Sequence, residues 1–407
     1  MKIVHICQYY NEGWGYQENL LPRYQMKLGH DVVVITSDRR PFYPNDKNKR
    51  IIGTGTFFDN GVRIERISIK WEFKNRFVVF KDLMGTLEKE RPDYIFHHGL
   101  TSPSLSIAAK YKNTHKNIFL AADNHADLNI SAKYIVWRKF YYEWFWKSRI
   151  KSVLRNLDIV FGVTPARCFF AKNFLGIPLE KIKLLPIGAD TDQADLIIDT
   201  DREKIRNNLN ISKKDIVITM GGKLSKDKGT NDLIKIVSNL KDQNLKLFLF
   251  GSLLGNELKS LVKKYDNVQF FGWLNRTDSL KILYASDLAV WPKMHTTLVE
   301  DAISVNTPLL LRYHGSTSHH IRDNGFYLFS GNSLEIYQIL DFVSKNREIL
   351  KNMRQSSVKQ RMILSYDQIA KESVDYFSNL SSKMTHQYYM NDFYCNSNNE
   401  DFEKRII

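Results

Sequence analysis

Short runs of β-branched and aliphatic residues recur along this chain, each followed by a stretch with apolar positions at helical spacing, and the series begins twice. The first series is Ile3–Cys7, Val32–Ile35, Val62–Ile69, Tyr94–His97, Ile118–Ala122, Ile159–Val163 and Ile182–Leu185. The second is Ile216–Met220, Lys246–Phe250, Val268–Phe271, Leu288–Trp291 and Pro308–Leu311. Strands separated by helix-length segments cannot pair as hairpins, so they run parallel in doubly wound sheets with helices on both faces. Helices are expected over Val78–Lys89 and Ile363–Leu380. Ala189–Lys214 is polar and lacks a strand, so it reads as the connection between two domains. With 407 residues the chain exceeds one ordinary core. The expected division is therefore 1–188, a linker 189–214, 215–362, a helix 363–380 packing back toward the first domain, and a polar tail 381–407.

The most informative turn follows the first strand of the second series. Gly221-Gly222 end a β-branched run, Lys223, Lys226 and Lys228 follow, and Leu233, Ile234, Val237 and Leu240 set a helix beginning near Thr230. Glycines let the backbone approach a ligand, backbone N–H groups and the helix dipole favour an anion, and ammonium groups neutralise it. The turn suits phosphate, although it is neither a Walker loop nor G-x-G-x-x-G. A solvated basic turn accounts equally well for these residues taken alone.

Composition agrees with a globular chain carrying anionic ligands. The formal charge is +15, 43% of residues are hydrophobic and 25% charged. Three cysteines, Cys7, Cys168 and Cys395, are too few and too far apart for a disulfide frame or a zinc cluster. With no apolar run near 18 residues and no leader-like start, the expected location is cytoplasmic. Ala132–Asn156 holds seven basic residues and one acidic one among eight aromatics. Such a helix can lie in an anionic membrane interface or pack on a sheet with a basic outer face. Two D-x-D triplets, Asp190–Asp192 and Asp199–Asp201, lie in the linker, where solvated acidic residues are ordinary, and no metal is expected there.

The order of motifs resembles the retaining family 4 glycosyltransferases of the GT-B fold. Gly222-Lys223-Leu224-Ser225-Lys226-Asp227-Lys228-Gly229 looks like that family's G-R-x-x-x-x-K-G turn, and Pro186-Ile187-Gly188-Ala189-Asp190 like its P-N-G-V-D segment. Phe250-Gly251-Ser252, Val268–Trp273, Ser286-Asp287 and Val299–Ala302 through Pro308 match further segments in the same order. The resemblance implies two Rossmann-like domains facing across a cleft, a nucleoside-diphosphate-sugar donor (UDP or GDP), a sugar or lipid-linked saccharide acceptor, retention of configuration, no cofactor and no metal. It places Lys223 and Lys228 on the donor diphosphate and Glu300 on the ribose. Thr297-x-x-Glu300 also has the form of a capping box. Thr296, Thr297 and Leu298 open that helix, and Gly13, Gly15, Gly251, Gly272 and Trp273 fall in loops that border the donor. Asp123 matches a family histidine near the donor sugar and His125 follows two residues later. Either could orient the acceptor hydroxyl or steady an oxocarbenium-like transition state, and either could equally belong to a turn. His97-His98-Gly99 reads as structural.

The chain departs from the family at one point. A glutamate is expected eight residues before Glu300, where Pro292 stands, and the glycine turn that should follow is replaced by Lys293-Met294-His295-Thr296. His295 is then the candidate for the sugar contact. The reading is a hexosyl transfer in bacterial surface polysaccharide or glycolipid synthesis. Its rivals are an inactive nucleotide-sugar-binding partner and a nucleotide-sugar epimerase of the same fold. The charge alone also admits nucleic acid, but no recognition module appears, so no such partner is expected.

Overall fold

The computed structural model describes residues 1–42, 49–73, 75–129, 131–240 and 244–375. The expected tail 381–407, with Cys395, and the last residues of the expected final helix, 376–380, lie outside the described residues. The chain divides into two units, one of Met1–Ile187 together with the segment returning from Tyr366, the other of Gly188–Ser365.

The first unit contains β1 (Lys2–Ile6), β2 (Asp31–Ser37), β3 (Gly55–Asp59), β4 (Val62–Ile67), β5 (Ile69–Phe73), β6 (Phe77–Phe80), β7 (Tyr94–His97), β8 (Phe119–Asn124), β9 (Ile159–Gly162) and β10 (Ile182–Leu184). Eight of these form one sheet in the order β10-β9-β8-β7-β1-β2-β4-β3. All pairings are parallel except β3 with β4. β1, β7 and β9 are buried almost throughout, as strands covered on both faces must be. β5 and β6 form a separate two-stranded ribbon.

Two expectations fail here. The helix expected over Val78–Lys89 begins as β6, and the helix itself runs Leu83–Glu90. Asp82 sets that start, its carboxylate accepting from Gly85 N at 2.9 Å. The hairpin β3–β4 was not anticipated. It turns on Asn60 (φ 48°) and Gly61 (φ 85°), the pair of left-handed residues that a tight hairpin needs.

The second unit is an all-parallel sheet, β13-β12-β11-β14-β15-β16, built from β11 (Ile216–Leu224), β12 (Leu245–Leu253), β13 (Val268–Phe270), β14 (Leu288–Trp291), β15 (Leu309–Arg312) and β16 (Gly325–Leu328). The segment 189–214 is not a free linker. It forms the helices Thr191–Ile198 and Arg202–Asn208, which belong to this unit. Arg202 Nε and Arg206 Nη1 donate to the Tyr284 and Ala285 carbonyls at the end of the helix Arg276–Ala285, both at 2.8 Å. Arg202 also reaches the Asp287 carboxylate at 2.8 Å. Guanidinium groups at orphaned carbonyls and a carboxylate explain why a polar stretch packs.

The last helix runs Tyr366–Asp375, shorter at its start than expected, and belongs to the first unit. Tyr366 stacks on Tyr24 of the helix Gln17–Lys27 with ring centroids 5.6 Å apart. Tyr94 on β7 donates its hydroxyl to the Ser373 carbonyl at 2.9 Å.

Candidate functional site

In the second unit the expected site residues gather at the carboxyl ends of the strands, where open α/β sheets bind ligands. β11 runs four residues past its expected end, through both glycines to Leu224. The reason is its pairing with β12. Gly222 lies opposite Gly251, and a Cβ on Gly251 (φ 112°) would meet the Gly222 carbonyl oxygen at 2.1 Å. Gly251 is therefore required for the close approach of two strands. Its N–H donates to Gly272 O at 2.7 Å, tying the end of β12 to the turn after β13. Trp273, next along, is 79% exposed.

Lys223 sits on the exposed end of β11 and Lys228 in the single turn 226–228 that follows. Gly229 (φ 81°) then reverses the chain into the helix Thr230–Asn239. Burial and the neighbouring Lys223 charge both push the Lys228 ammonium below its ordinary range. Among the described residues neither lysine has a carboxylate partner. Two neighbouring cations without a counter-ion repel each other in the free protein.

The segment after β14 closes over this turn. A Cβ on Gly222 would touch Leu298 Cδ1 at 3.6 Å and Thr296 Oγ1 at 3.9 Å. Pro292, which stands where a glutamate was expected, packs its ring against Gly229, whose Cβ would meet Pro292 Cγ at 2.9 Å. Thr297 precedes the short helix Leu298–Ser304 but makes no side-chain cap, so the capping-box reading of Glu300 is corrected. Glu300 instead turns inward and is 4% exposed. Its Oε1 lies 2.9 Å from His295 Nε2 and 3.1 Å from His320 Nε2. Burial opposes the charge of Glu300, but the two histidines outweigh it and hold the carboxyl well below the usual range. Glu300 Oε2 is buried without a hydrogen-bond partner. His295 thus faces Glu300 by Nε2, where a sugar contact had been expected of it.

In the first unit the loop after β1 is tied down. Gly13 (φ 73°) donates its N–H to Asp59 Oδ2 at 3.1 Å, and Tyr10 donates its hydroxyl to the same oxygen at 2.8 Å. The Gly13 N–H is thus engaged within the protein. Gly15 is half-buried and is not left-handed.

Asp123, the last residue but one of β8, is fully buried and lies at the end of a hydrogen-bond chain whose direction can be worked out link by link. Ser373 Oγ donates to the Ala370 carbonyl (2.6 Å) and so accepts from Gln25 Nε2 (2.8 Å). The Gln25 carbonyl oxygen then accepts from His5 Nε2 (2.6 Å), which leaves a lone pair on His5 Nδ1. That lone pair accepts from His98 Nε2 (3.0 Å), and His98 Nδ1 faces Asp123 Oδ2 at 3.0 Å. Both His98 nitrogens donate, so His98 is the cationic partner of Asp123. Burial, then the His98 charge, pushes His5 down to about 3, in keeping with a neutral ring. Gly99 N donates to Asp123 Oδ1 at 2.6 Å, and His125 Nε2 stands 3.2 Å from Oδ2. Although burial disfavours its charge, His125 and His98 hold the Asp123 carboxyl far below the usual range.

Beside this group is a cavity of about 400 Å³ lined by Tyr9, Glu18, Arg76, His98, His125 and Tyr141, among others. Burial raises the Glu18 carboxyl. Sequence reasoning missed Glu18 and read His98 as structural. The adjacency of β7 and β8 was the signal for His98, since parallel neighbours end side by side. The D-x-D triplets form no cluster: Asp190 lies 3.5 Å from Arg276, and Asp201 caps a helix through Glu203 N at 2.9 Å.

The model of the Glycosyltransferase Family 4 matches residues 20–193, and that of the Glycosyl transferases group 1 matches residues 201–362. This chain is a family 4 glycosyltransferase. Among curated proteins, the glycosyltransferase is 27% identical over 212 residues to mannosylfructose-phosphate synthase of Agrobacterium fabrum, a match spanning 47% of this chain and 46% of that protein. The match thus takes in about half the length of that relative. A solved glycosyltransferase from Rickettsia africae has a TM-score of 0.66 at 14% identity, covering 94% of this chain and 99% of that one. HepE of Anabaena in complex with UDP also scores 0.66, at 16% identity over 93% and 100% of the two chains. The two Rossmann-like units of this glycosyltransferase are those of the GT-B fold. No helix among its described residues is long and apolar enough to cross a membrane.

Proposed function

We propose that this glycosyltransferase moves a sugar from a UDP- or GDP-sugar to an acceptor hydroxyl with retention of configuration, in bacterial surface polysaccharide or glycolipid synthesis. The observation that carries this reading is the unneutralised pair Lys223 and Lys228 at the end of β11. As the bond from the sugar C1 to the phosphate oxygen breaks, its electron pair leaves with the diphosphate. The two ammonium groups stabilise that charge, the part a divalent ion plays in other phosphate chemistry. The unpartnered Glu300 Oε2 is suited to accept from ribose hydroxyls. His125 and Glu18, which line the first unit's cavity, would orient the acceptor, with Asp123 behind His125 holding its ring. The complexes of HepE with UDP-glucose and the role of WaaG in lipopolysaccharide biosynthesis support the reading.

A second reading, a binder without turnover, draws on Pro292 in place of the first glutamate. Thermal shift with UDP, GDP and ADP, followed by assay of nucleoside diphosphate released from the matching sugar nucleotides, separates the two. One nucleotide should raise Tm, with ~2.7 kcal/mol of stabilisation at a hundred times its Kd, and its sugar conjugate should be slowly hydrolysed. Stabilisation without hydrolysis or transfer would favour the binder, and no stabilisation by any nucleotide would end both readings.

Of the two acceptor classes expected, a sugar or a lipid-linked saccharide, the second calls for a membrane-facing surface. The helix Ile135–Trp137 leads into a π-helical stretch, Arg138–Trp146, and the helix Lys147–Val153. Tyr141, Tyr142 and Trp146 are buried, while Tyr134, Val136, Phe140 and Trp144 are two-thirds or more exposed beside Lys133, Lys139, Lys147 and Arg149. Exposed rings amid cations suit an anionic bilayer. The protein should sediment with phosphatidylglycerol vesicles and much less with phosphatidylcholine ones, and a Phe140→Ser, Trp144→Ser double variant should lose at least tenfold in partitioning. Equal sedimentation of the variant would refute this surface.

A further inference from the structure

We infer that His295, Glu300 and His320 form a binding site for a divalent transition-metal ion of the zinc class. This inference is independent of the sugar-transfer reading, and the ion takes no part in the chemistry proposed above. The three side chains come from separate stretches of the second unit: the segment after β14, the short helix Leu298–Ser304, and the turn before β16. They converge so that one ligand atom from each lies within 4.8 Å of the others. The separations of 2.9 and 3.1 Å from Glu300 Oε1 to the two imidazole nitrogens match adjacent ligand atoms on a small ion. Bonds of about 2.0–2.2 Å put neighbouring ligands roughly 2.8–3.1 Å apart at right angles and roughly 3.3–3.6 Å apart at tetrahedral angles, so the side chains need shift by only a few tenths of an ångström.

The hydrogen bonding of His320 supplies an independent reason. Its Nδ1 lies 3.2 Å from the Thr317 carbonyl oxygen, which can only accept. Nδ1 therefore carries the hydrogen, and a neutral ring presents the Nε2 lone pair to a carboxylate oxygen. Two lone pairs facing each other at 3.1 Å, on a fully buried ring, repel unless a cation stands between them. Histidines that bind metals show this arrangement, the outer nitrogen donating to a carbonyl and the inner one free for the ion. The alternative cation is a second proton on His320. His295 stacks on His320 at 5.2 Å between centroids, so both rings approach Glu300 from one side. Two imidazoles and a carboxylate are a donor set for zinc, cobalt or iron(II), with positions left open. Glu300 Oε2 is left without a hydrogen-bond partner. An ion here would fasten the segment carrying Thr296, which borders Gly222, to the turn holding His320.

The test uses the full-length chain stripped with EDTA and titrated with Co²⁺, whose visible d–d bands report direct nitrogen and oxygen ligation. One Co²⁺ should bind per chain with intense bands, Zn²⁺ should displace it, and Zn²⁺ should raise Tm. His295→Gln and Glu300→Gln should each abolish the bands and weaken affinity by more than the about 10- to 100-fold lost with an outer-shell partner. His115→Ala, in the other unit, should leave them intact. His295 lies on a half-buried segment, so that variant keeps its fold, as circular dichroism would verify. Absence of bands in the parent chain would overturn the site in favour of the proton, and bands persisting in both variants would place the ion elsewhere. Nucleotide affinity is measured separately, so failure of the metal site leaves the donor-site reading to stand or fall by itself.

Discussion

Alanine at Lys228 is expected to lower kcat/KM by two to three orders of magnitude while leaving the fold unchanged. Lys228 is half-buried at the end of its turn, bears against the charge of Lys223, and has no carboxylate partner among the described residues. Removing it relieves a repulsion in the free protein and deletes an attraction once a diphosphate is present. Stability should therefore stay level or rise slightly while the transition state loses ~3–4 kcal/mol, the size seen for a single donor at a developing charge. Lys223 is more exposed, so its alanine variant should lose less. Steady-state kinetics with the donor identified by thermal shift, alongside urea melts, would check this. An unchanged kcat/KM, or equal losses of activity and stability, would remove the phosphate site.

The second large effect concerns Asp123. Asparagine there keeps the shape but removes the charge that faces His98 and His125, leaving a buried imidazolium without its counter-ion. Breaking a buried pair in this way costs ~3–5 kcal/mol. The sign with pH follows from the depressed folded-state value. The stabilisation is complete above the unfolded carboxylate value, about 3.9, and is lost as pH falls below it toward the folded value. The unfolding free energy of the parent chain should thus fall steeply below about pH 4 relative to the Asp123→Asn variant, and the gap between them should be widest near neutrality. His125 is different because its side chain is 42% exposed. His125→Asn should reduce kcat with little change in stability, and matching losses in both would mean that the histidine only props the carboxylate.

Local pattern carried much of the architecture. Parallel strands covered on both faces read as short apolar runs, and the Gly-Gly-Lys segment marked where β11 gives way to a turn and the helix Thr230–Asn239. Other features were readable but misjudged. Asn60-Gly61 between β-prone runs is a hairpin turn, and Phe77–Phe80 before Asp82 is a strand that stops at a helix cap, not the start of that helix. The stretch 189–214 misled because its helices are short and polar and are held by arginines whose partners, Tyr284, Ala285 and Asp287, are some eighty residues away. Glu300 shows how local and tertiary signals compete: its spacing from Thr297 suits a cap, yet two histidines draw the side chain inward. The pairing of His320 with Glu300, and the chain running from Ser373 to Asp123, depend on contacts that no local window contains.

The second unit is an insertion. The chain leaves the first unit at Ile187, builds the whole of the second, and returns at Tyr366 to supply the helix that covers Tyr24 and reaches Tyr94 and Gln25. A growing polypeptide therefore offers the first unit with one flank bare until the codons for Tyr366–Asp375 are translated. The second unit has all of its strands in hand sooner. Maturation on the ribosome should accordingly run backwards, with the later-encoded sheet settled before the earlier-encoded one is sealed, and a stop codon just after Leu364 would leave the His5–His98–Asp123 wire without its anchoring hydroxyl.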